Sequence, residues 1–283
     1  MDHSLAPGHR HVEAAPRQRR RRPDGVGLAL KLFTAVVLLA LYLPVAVLVV
    51  FSFNDNIVTT LPLRSFTLDW YRKAFSNEDM LRAAANSLYV GVVATALTLV
   101  VGTAAAFAID RTEFPGKTLF RRLVVLPLVL PGIITGISML NLFRMMGMNL
   151  SLQTVILGHA TALISVVVTQ VYARLLRVNR RIEEASSDLG ARPWQTFLYV
   201  VLPNIRSALI GSALICFTLS FDEIPVTFFL TGRENTLPMY IYSTLRKGIT
   251  PEINAIGSVI VAVSLVLILL SVRLLGEDRK GGG

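Results

Sequence analysis

Two adjacent acids, Asp222 and Glu223, stand in an otherwise apolar run just ahead of Pro225. Carboxylates among Phe, Leu and Ile can hold a cation, relay a proton or neutralise a base on another helix. A charged side chain near a bilayer centre costs about 2.5–3.5 kcal/mol on insertion scales, so it normally faces a cavity or a partner. Counted from Arg206, the two acids fall in the far half of an apolar run spanning 205–230. Pro225 has no N–H to give the carbonyl of Phe221, which leaves an acceptor beside the acids. Gly211, Ile215, Thr218 and Asp222 recur at helical spacing, with Ser212, Cys216 and Glu223 on the adjoining stripe. One sector of the helix is therefore small or polar. Thr218, Asp222 and Glu223 are candidates for a cation pathway. The structural alternative is an acid pair neutralised by another helix or lying at the headgroups.

A second polar stretch, 184–203, sits between two long apolar runs. Residues 182–189 are good helix formers and place Glu184 and Asp188 on one face at i, i+4. Gly190 suits a helix C-terminus because it adopts the left-handed conformation without a Cβ penalty. Pro193 suits the first turn of a second short helix, with Trp194, Phe197 and Leu198 on an apolar edge. A helix–Gly–helix unit at a membrane surface can present an acid and apolar side chains to a partner. A surface connector with no partner has the same composition.

Other candidate chemistry falls away. Gly116-Lys117-Thr118 ends like a phosphate-binding loop, but position 111 is Arg and the stretch follows a spanning helix instead of a strand. His159 is a lone histidine in an apolar run, expected to be packed and hydrogen-bonded and not to ligate a metal. The single cysteine, Cys216, excludes an intrachain disulfide and any multi-cysteine metal site. There is no HExxH, nucleophile elbow or Cys/His cluster, so neither a catalytic nor a metal site is expected.

The elements that position these residues must cross a membrane. Of 283 residues 53% are hydrophobic and only 16% charged, with mean hydropathy +0.58; a soluble domain carries nearer a quarter charged residues. Apolar residues cluster into six runs, roughly 27–52, 84–109, 121–143, 152–173, 205–230 and 253–275, each near the ~20 residues needed to span a bilayer core. The expected fold is all-α, a polytopic membrane protein with six transmembrane helices. With both ends inside, the inner segments hold 20 of the 28 Lys and Arg residues, counting Lys31 with the tail. That asymmetry follows the positive-inside rule, so the net charge of +10 reports topology and not nucleic-acid binding.

The basic segment 1–26 is expected to be a disordered cytoplasmic tail, 27–275 the membrane domain and 276–283 a cytoplasmic end. In the third run, Pro127 and Pro131 free backbone carbonyls, and Gly132-x-x-x-Gly136 allows close helix packing. The outer connection 53–83 carries Phe66, Trp70, Tyr71 and Phe75 among four basic and four acidic residues. Aromatics beside a span commonly lie at headgroup level.

The stretch 184–203 resembles the EAA loop of ABC-importer permeases: Glu184-Ala185, Gly190 and Leu202-Pro203 stand at that loop's spacings, with Ser186 in place of its second Ala and Val200 in place of its Ile. The run 217–232, followed by Leu237-Pro238-Met239 and Pro251-Glu252-Ile253-Asn254-Ala255, is similar to spermidine/putrescine importer permeases of the PotC type, which often have Asp-Asp where this chain has Asp222-Glu223. The similarity extends over most of the chain beyond the tail.

The resemblance implies the type I importer-permease (MetI-like) fold in an inner membrane, with a coupling loop over 178–204. Contact with an ATPase would run through Glu184, Ala185, Leu189, Gly190 and Trp194. It further implies a second permease subunit, two ATPase subunits using ATP and Mg, and an extracytoplasmic substrate-binding protein, which the 53–83 connection would face. The chain itself would hydrolyse nothing and bind no cofactor. The rivals are a self-sufficient carrier driven by an ion gradient, with the acids as relay, an ABC importer for another small solute, and a membrane scaffold without transport.

Overall fold

The computed structural model describes residues 25–56, 65–248 and 251–277. The expected tail 1–26 lies outside them except for Gly25 and Val26, as do 278–283 of the expected C-terminal end. Within them the chain is helical, with one isolated bridge between Asn54 and Phe66.

The first helix, α1 (Gly25–Phe51), is apolar but for Lys31 and Thr34 near its start, with Pro44 inside it, and most of its large side chains are exposed. It is the surface expected of a helix whose solvent is hydrocarbon. The rest of the chain forms a separate compact unit. In that unit α2 (Asp69–Ser76) precedes the long α3 (Glu78–Arg111). Asn77 caps α3 by accepting from the Met80 amide (3.1 Å), and Glu78, Asp79 and Arg111 lie at the ends their charges favour.

The third apolar run, expected as one helix over 121–143, is two. Helix α4 (Lys117–Val125) continues through a 3₁₀ turn, Leu126–Leu128, and then meets α5 (Gly132–Met145) at 109°. Pro127 and Pro131 account for the turn, because each removes a donor and the second disfavours helix at Leu130.

Helix α6 (Leu152–Leu175) is the centre of the unit: 67% of its apolar window is buried, against 33% for α3. It packs on α3 and on the fifth apolar run. Before that run comes α7 (Arg180–Asp188), then α8 (Pro193–Thr196), which passes through a π turn, Phe197–Val201, into α9 (Leu202–Phe221).

The fifth run was expected to continue to 230 but stops at Phe221. A short α10 (Pro225–Leu230) follows, then α11 (Leu237–Lys247) and α12 (Pro251–Glu277). Among the described residues four helices are long and apolar enough to cross a bilayer, or five with α4–α5 taken as one span.

Three apolar clusters line up along α3. Ala106 and Ile109 pack with Val171, Leu175, Val201 and Ile205 at one end. Val90 and Ala94 pack with Val155, Val226 and Leu230 further along. Met80 packs with Ala74, Leu237 and Ile256 at the other end. The first cluster supports the π turn and the start of α9, and the second supports α10.

Candidate coupling and translocation sites

At the α7 end, Asn179 opens the short helix by accepting from the Arg181 amide at 3.1 Å. Its close is a Schellman turn: Gly190 N–H donates to the Ser187 carbonyl and Ala191 N–H to the Ser186 carbonyl. Gly190 has φ of 85°, the left-handed geometry that a Cβ disfavours. The chain then re-enters helix at Pro193, where the Arg192 amide donates to Gln195 Oε1 at 2.7 Å. Ser186 and Thr196 hydroxyls meet at 3.1 Å and tie α7 to α8.

The second helix of this unit is not free-standing, as its Pro193 start had suggested. It is the first turn of a continuous helical run from Pro193 to Phe221. The π turn between them has a cause: Pro203 cannot donate to the Tyr199 carbonyl, and a widened turn accommodates its ring. Asn204 Nδ2 donates to the Val200 carbonyl (2.7 Å), and Arg174 Nε at the end of α6 donates to the Asn204 carbonyl (2.8 Å).

This unit presents Glu184, Ala185 and Gly190 exposed, Leu189 at 89% and Trp194 at 53% exposure. A leucine and a tryptophan left this bare lie on a surface built for contact or for lipid.

Sequence reading missed what holds α7 in place. Asp110 and Arg111, the last residues of α3, meet Arg180 and Glu183 of α7. Arg111 Nη2 pairs with Glu183 Oε1, and Arg111 Nη1 lies 2.6 Å from Asp110 Oδ2 without the alignment of a hydrogen bond. Arg180 Nη2 donates to the Asp110 carbonyl at 2.8 Å and lies 3.4 Å from its Oδ1. Partners about 70 positions apart carry no local spacing signal, so no pattern in the sequence marked them.

At the far end of α9 the acids do not lie within a helix. Asp222 is exposed and ends α9, its amide donating to the Thr218 carbonyl at 3.2 Å. Glu223, one residue ahead of the N-cap position Ile224, accepts from the Val226 amide through Oε1 at 2.9 Å and so caps a free amide of α10. Thr218 is exposed, with its hydroxyl donating back to Leu214. The three thus flank one break, and a cavity of about 650 Å³ at the N-terminal end of α3 lies elsewhere. Its lining includes Asp79, Arg82, Asn86, Arg233, Glu234 and Tyr240.

Behind Glu223 the break is held by neutral groups. His159, 1% exposed, places Nδ1 2.8 Å from Ser220 Oγ and Nε2 2.8 Å from Thr227 Oγ1. Thr227 in turn donates to the Glu223 carbonyl at 2.9 Å. With that proton committed, Thr227 accepts from Nε2–H and Nδ1 accepts from Ser220, which satisfies a neutral ring completely. The histidine is packed and hydrogen-bonded, as its apolar surroundings led us to expect. Gly136 lets α5 approach α10: a Cβ there would come within 2.8 Å of Phe229 Cδ2 and 3.2 Å of the Pro225 carbonyl.

The family model for the binding-protein-dependent transport system inner membrane component matches residues 99–276. The chain belongs to that family. It is the permease subunit of an ABC importer, an inner-membrane, multi-pass protein that depends on a separate ATPase and a substrate-binding protein. ATP hydrolysis is not a function of this subunit.

This permease is 32% identical over 252 residues to the spermidine/putrescine transport system permease protein PotC of Shigella flexneri, covering 89% of the chain and 95% of the relative. It is 35% identical over 235 residues to the putrescine transport system permease protein PotI of Escherichia coli (strain K12), covering 80% and 83%. Among solved structures it resembles a bacterial ABC transporter involved in the import of the acidic polysaccharide alginate: TM-score 0.67, 16% identity, 93% of this chain and 99% of that one. The MetNI methionine ABC transporter in inward-facing conformations gives TM-score 0.55 at 20% identity over 70% and 93%. These two likenesses speak for the fold.

Proposed function

We propose that this permease moves polyamines or related organic cations, paired with a second, related permease subunit above two ATPase copies. Six spans carry it through the membrane, with α4–α5 as a broken third and α12 as the sixth. Both termini lie in the cytoplasm, with 1–26 as a basic tail, 27–275 as the membrane domain and the C-terminal end from 276. Segment 178–204 faces the ATPase, docking through Glu184, Ala185, Leu189, Gly190 and Trp194. ATP and Mg act there, in the partner. Closure of the ATPases pushes on this segment and, through the continuous Pro193–Phe221 run, on the break at Asp222. The cation passes Thr218, Asp222 and Glu223 on its way inward.

The observation that carries the substrate class is identity of about a third over nearly the full length of relatives named for spermidine and putrescine. The exposed acid at the α9–α10 break agrees with a cationic cargo. Profiling ligands of the cognate binding protein is the direct test: tight binding of spermidine or putrescine is expected. Tight binding only of an anionic or neutral solute would reject the polyamine assignment and leave the importer assignment intact.

A further inference from the structure

The coupling segment described above must pass its motion to the membrane helices, and its own packing is too weak to do so. None of the residues of α7 is buried, so apolar contact cannot fix it to the body. What does fix it is charge. Arg111 reaches two carboxylates, Asp110 on its own helix and Glu183 on α7, while Arg180 of α7 grips both the carbonyl and the carboxylate of Asp110. The Asp110 side chain is 3% exposed, and those of Arg111 and Glu183 are about one-fifth exposed. Poor access to water strengthens such pairs and makes an orphaned partner costly. A cation at the last carbonyls of α3 also suits that helix terminus.

We propose that Asp110, Arg111, Arg180 and Glu183 form a latch that makes α7 and the C-terminal end of α3 move as one body. Force delivered to α7 then enters the membrane domain along two routes, through α8 into α9 and through the latch into α3. The second route has a destination. Helix α3 runs unbroken for 34 residues, and its opposite end contributes Asp79, Arg82 and Asn86 to the 650 Å³ cavity. Docking at one face is thereby wired to the shape of that cavity. Arg111 and Glu183 are positioning residues, which need not touch the ATPase or the cargo.

The proposal rests on the coupling role of α7, and its test separates the two. In the complete reconstituted transporter, with Cys216→Ala as background, spin labels at Glu113→Cys and Ser187→Cys report the distance between the latch's two sides. The wild-type latch predicts one narrow distance, unchanged between nucleotide-free and ATP-bound states. The double variant Arg180→Gln/Glu183→Gln should broaden or shift that distance on ATP binding. Transport per ATP hydrolysed should fall about fivefold, the lower end of allosteric couplings, with the ATPase still bound in normal ratio. Arg111→Lys keeps the charge and should retain more transport per ATP than Arg111→Gln. A distance that changes between states with the latch intact, or an unchanged distance and transport ratio in the double variant, overturns the latch. Loss of ATPase binding in the double variant also overturns it, placing these residues in the docking surface instead. If the ATPase does not co-purify with the wild-type chain, the coupling role itself fails.

Discussion

Around the Gly190 turn, charged side chains hold α7 to α3; around the break ahead of Pro225, neutral side chains hold α10 to α6 and α9, with the Glu223 carboxylate only at the end of α10. The first turn leaves Leu189 and Trp194 bare, while the second buries Val226, Thr227 and Leu230. The difference follows from solvent. Where α7 meets α3 the side chains keep partial access to water, Arg180 at 59% and Arg111 and Glu183 about one-fifth exposed, so charges cost less to place. Inside a packed apolar bundle, an ion would cost several kcal/mol, so a histidine and two hydroxyls fix the buried side of the break, and Glu223 caps α10 at its half-buried edge. Under the proposed function the α7–α8 turn is the one gripped from outside, and the other keeps its shape.

The largest expected effect tests that outward face. Truncating Leu189 and Trp194 together to Ala should weaken ATPase association by ~30-fold or more, since buried aromatic anchors at interfaces are commonly worth ~2 kcal/mol or more. Because both side chains are exposed in the subunit, its thermal stability in detergent should not change. Quantitative pull-down beside a melting curve reads both. A destabilised subunit with normal ATPase binding would reverse the roles given to the two turns.

How much of this contrast was legible in the sequence depends on the range of the interactions. The coupling turn was readable because its signals are local: Gly190 and Pro193 punctuate it, and caps act over three or four residues. The break at 222–225 was only half readable. Pro225 and the acids marked the place, but a proline in a span equally fits a bent, continuous helix. What decides for a full break is Glu223 capping α10 and Thr227 meeting His159 from 68 positions away, which no local pattern shows. The same holds for α4–α5, where Pro127 and Pro131 were read as lying within one span and instead turn the chain through 109°. The Asp110–Arg180 and Arg111–Glu183 pairs left no trace, because surface-type charges near a helix end are common in any loop.

The neutral hold at the second turn can be tested next. His159→Leu leaves Ser220 without its ring acceptor and removes the donor to Thr227 in a site with no water access, at a cost of roughly 1–3 kcal/mol per unsatisfied group. A clear fall in melting temperature is expected, with ATPase association preserved. His159→Gln, which can donate and accept, should recover part of the loss. Equal melting of the Leu and Gln variants would show that ring packing, and not the hydrogen bonds, holds the break.

Glu223 separates capping from charge. Glu223→Gln keeps an oxygen for the Val226 amide, so stability should hold while uptake of a cationic substrate falls. Glu223→Ala should lose about 1 kcal/mol of stability as well, the usual value of a helix cap. If the Gln variant transports a cation with unchanged kinetics, the acid serves α10 alone, and the pathway assigned to Asp222 and Glu223 loses half its support. Substituting both acids, Asp222→Asn with Glu223→Gln, then decides whether Asp222 carries the effect by itself.

The remaining effects belong to the turn between α7 and α8 and leave function untouched or nearly so. Gly190→Ala places a Cβ at φ 85° and should cost about 1–2 kcal/mol, because nothing else crowds the position. Ser186→Ala should cost less still, about 0.5–1.5 kcal/mol for one partly exposed bond to Thr196. It also restores the Ala found in the EAA pattern, so the shift in stability should come with no loss of ATPase binding. Should Ser186→Ala reduce transport per ATP as strongly as breaking the charge pairs, α7 would be driving α9 through the Ser186–Thr196 contact. The route into α3 would then be secondary, and the division between a charged, gripped turn and a neutral, fixed one would have to be drawn within the coupling segment itself.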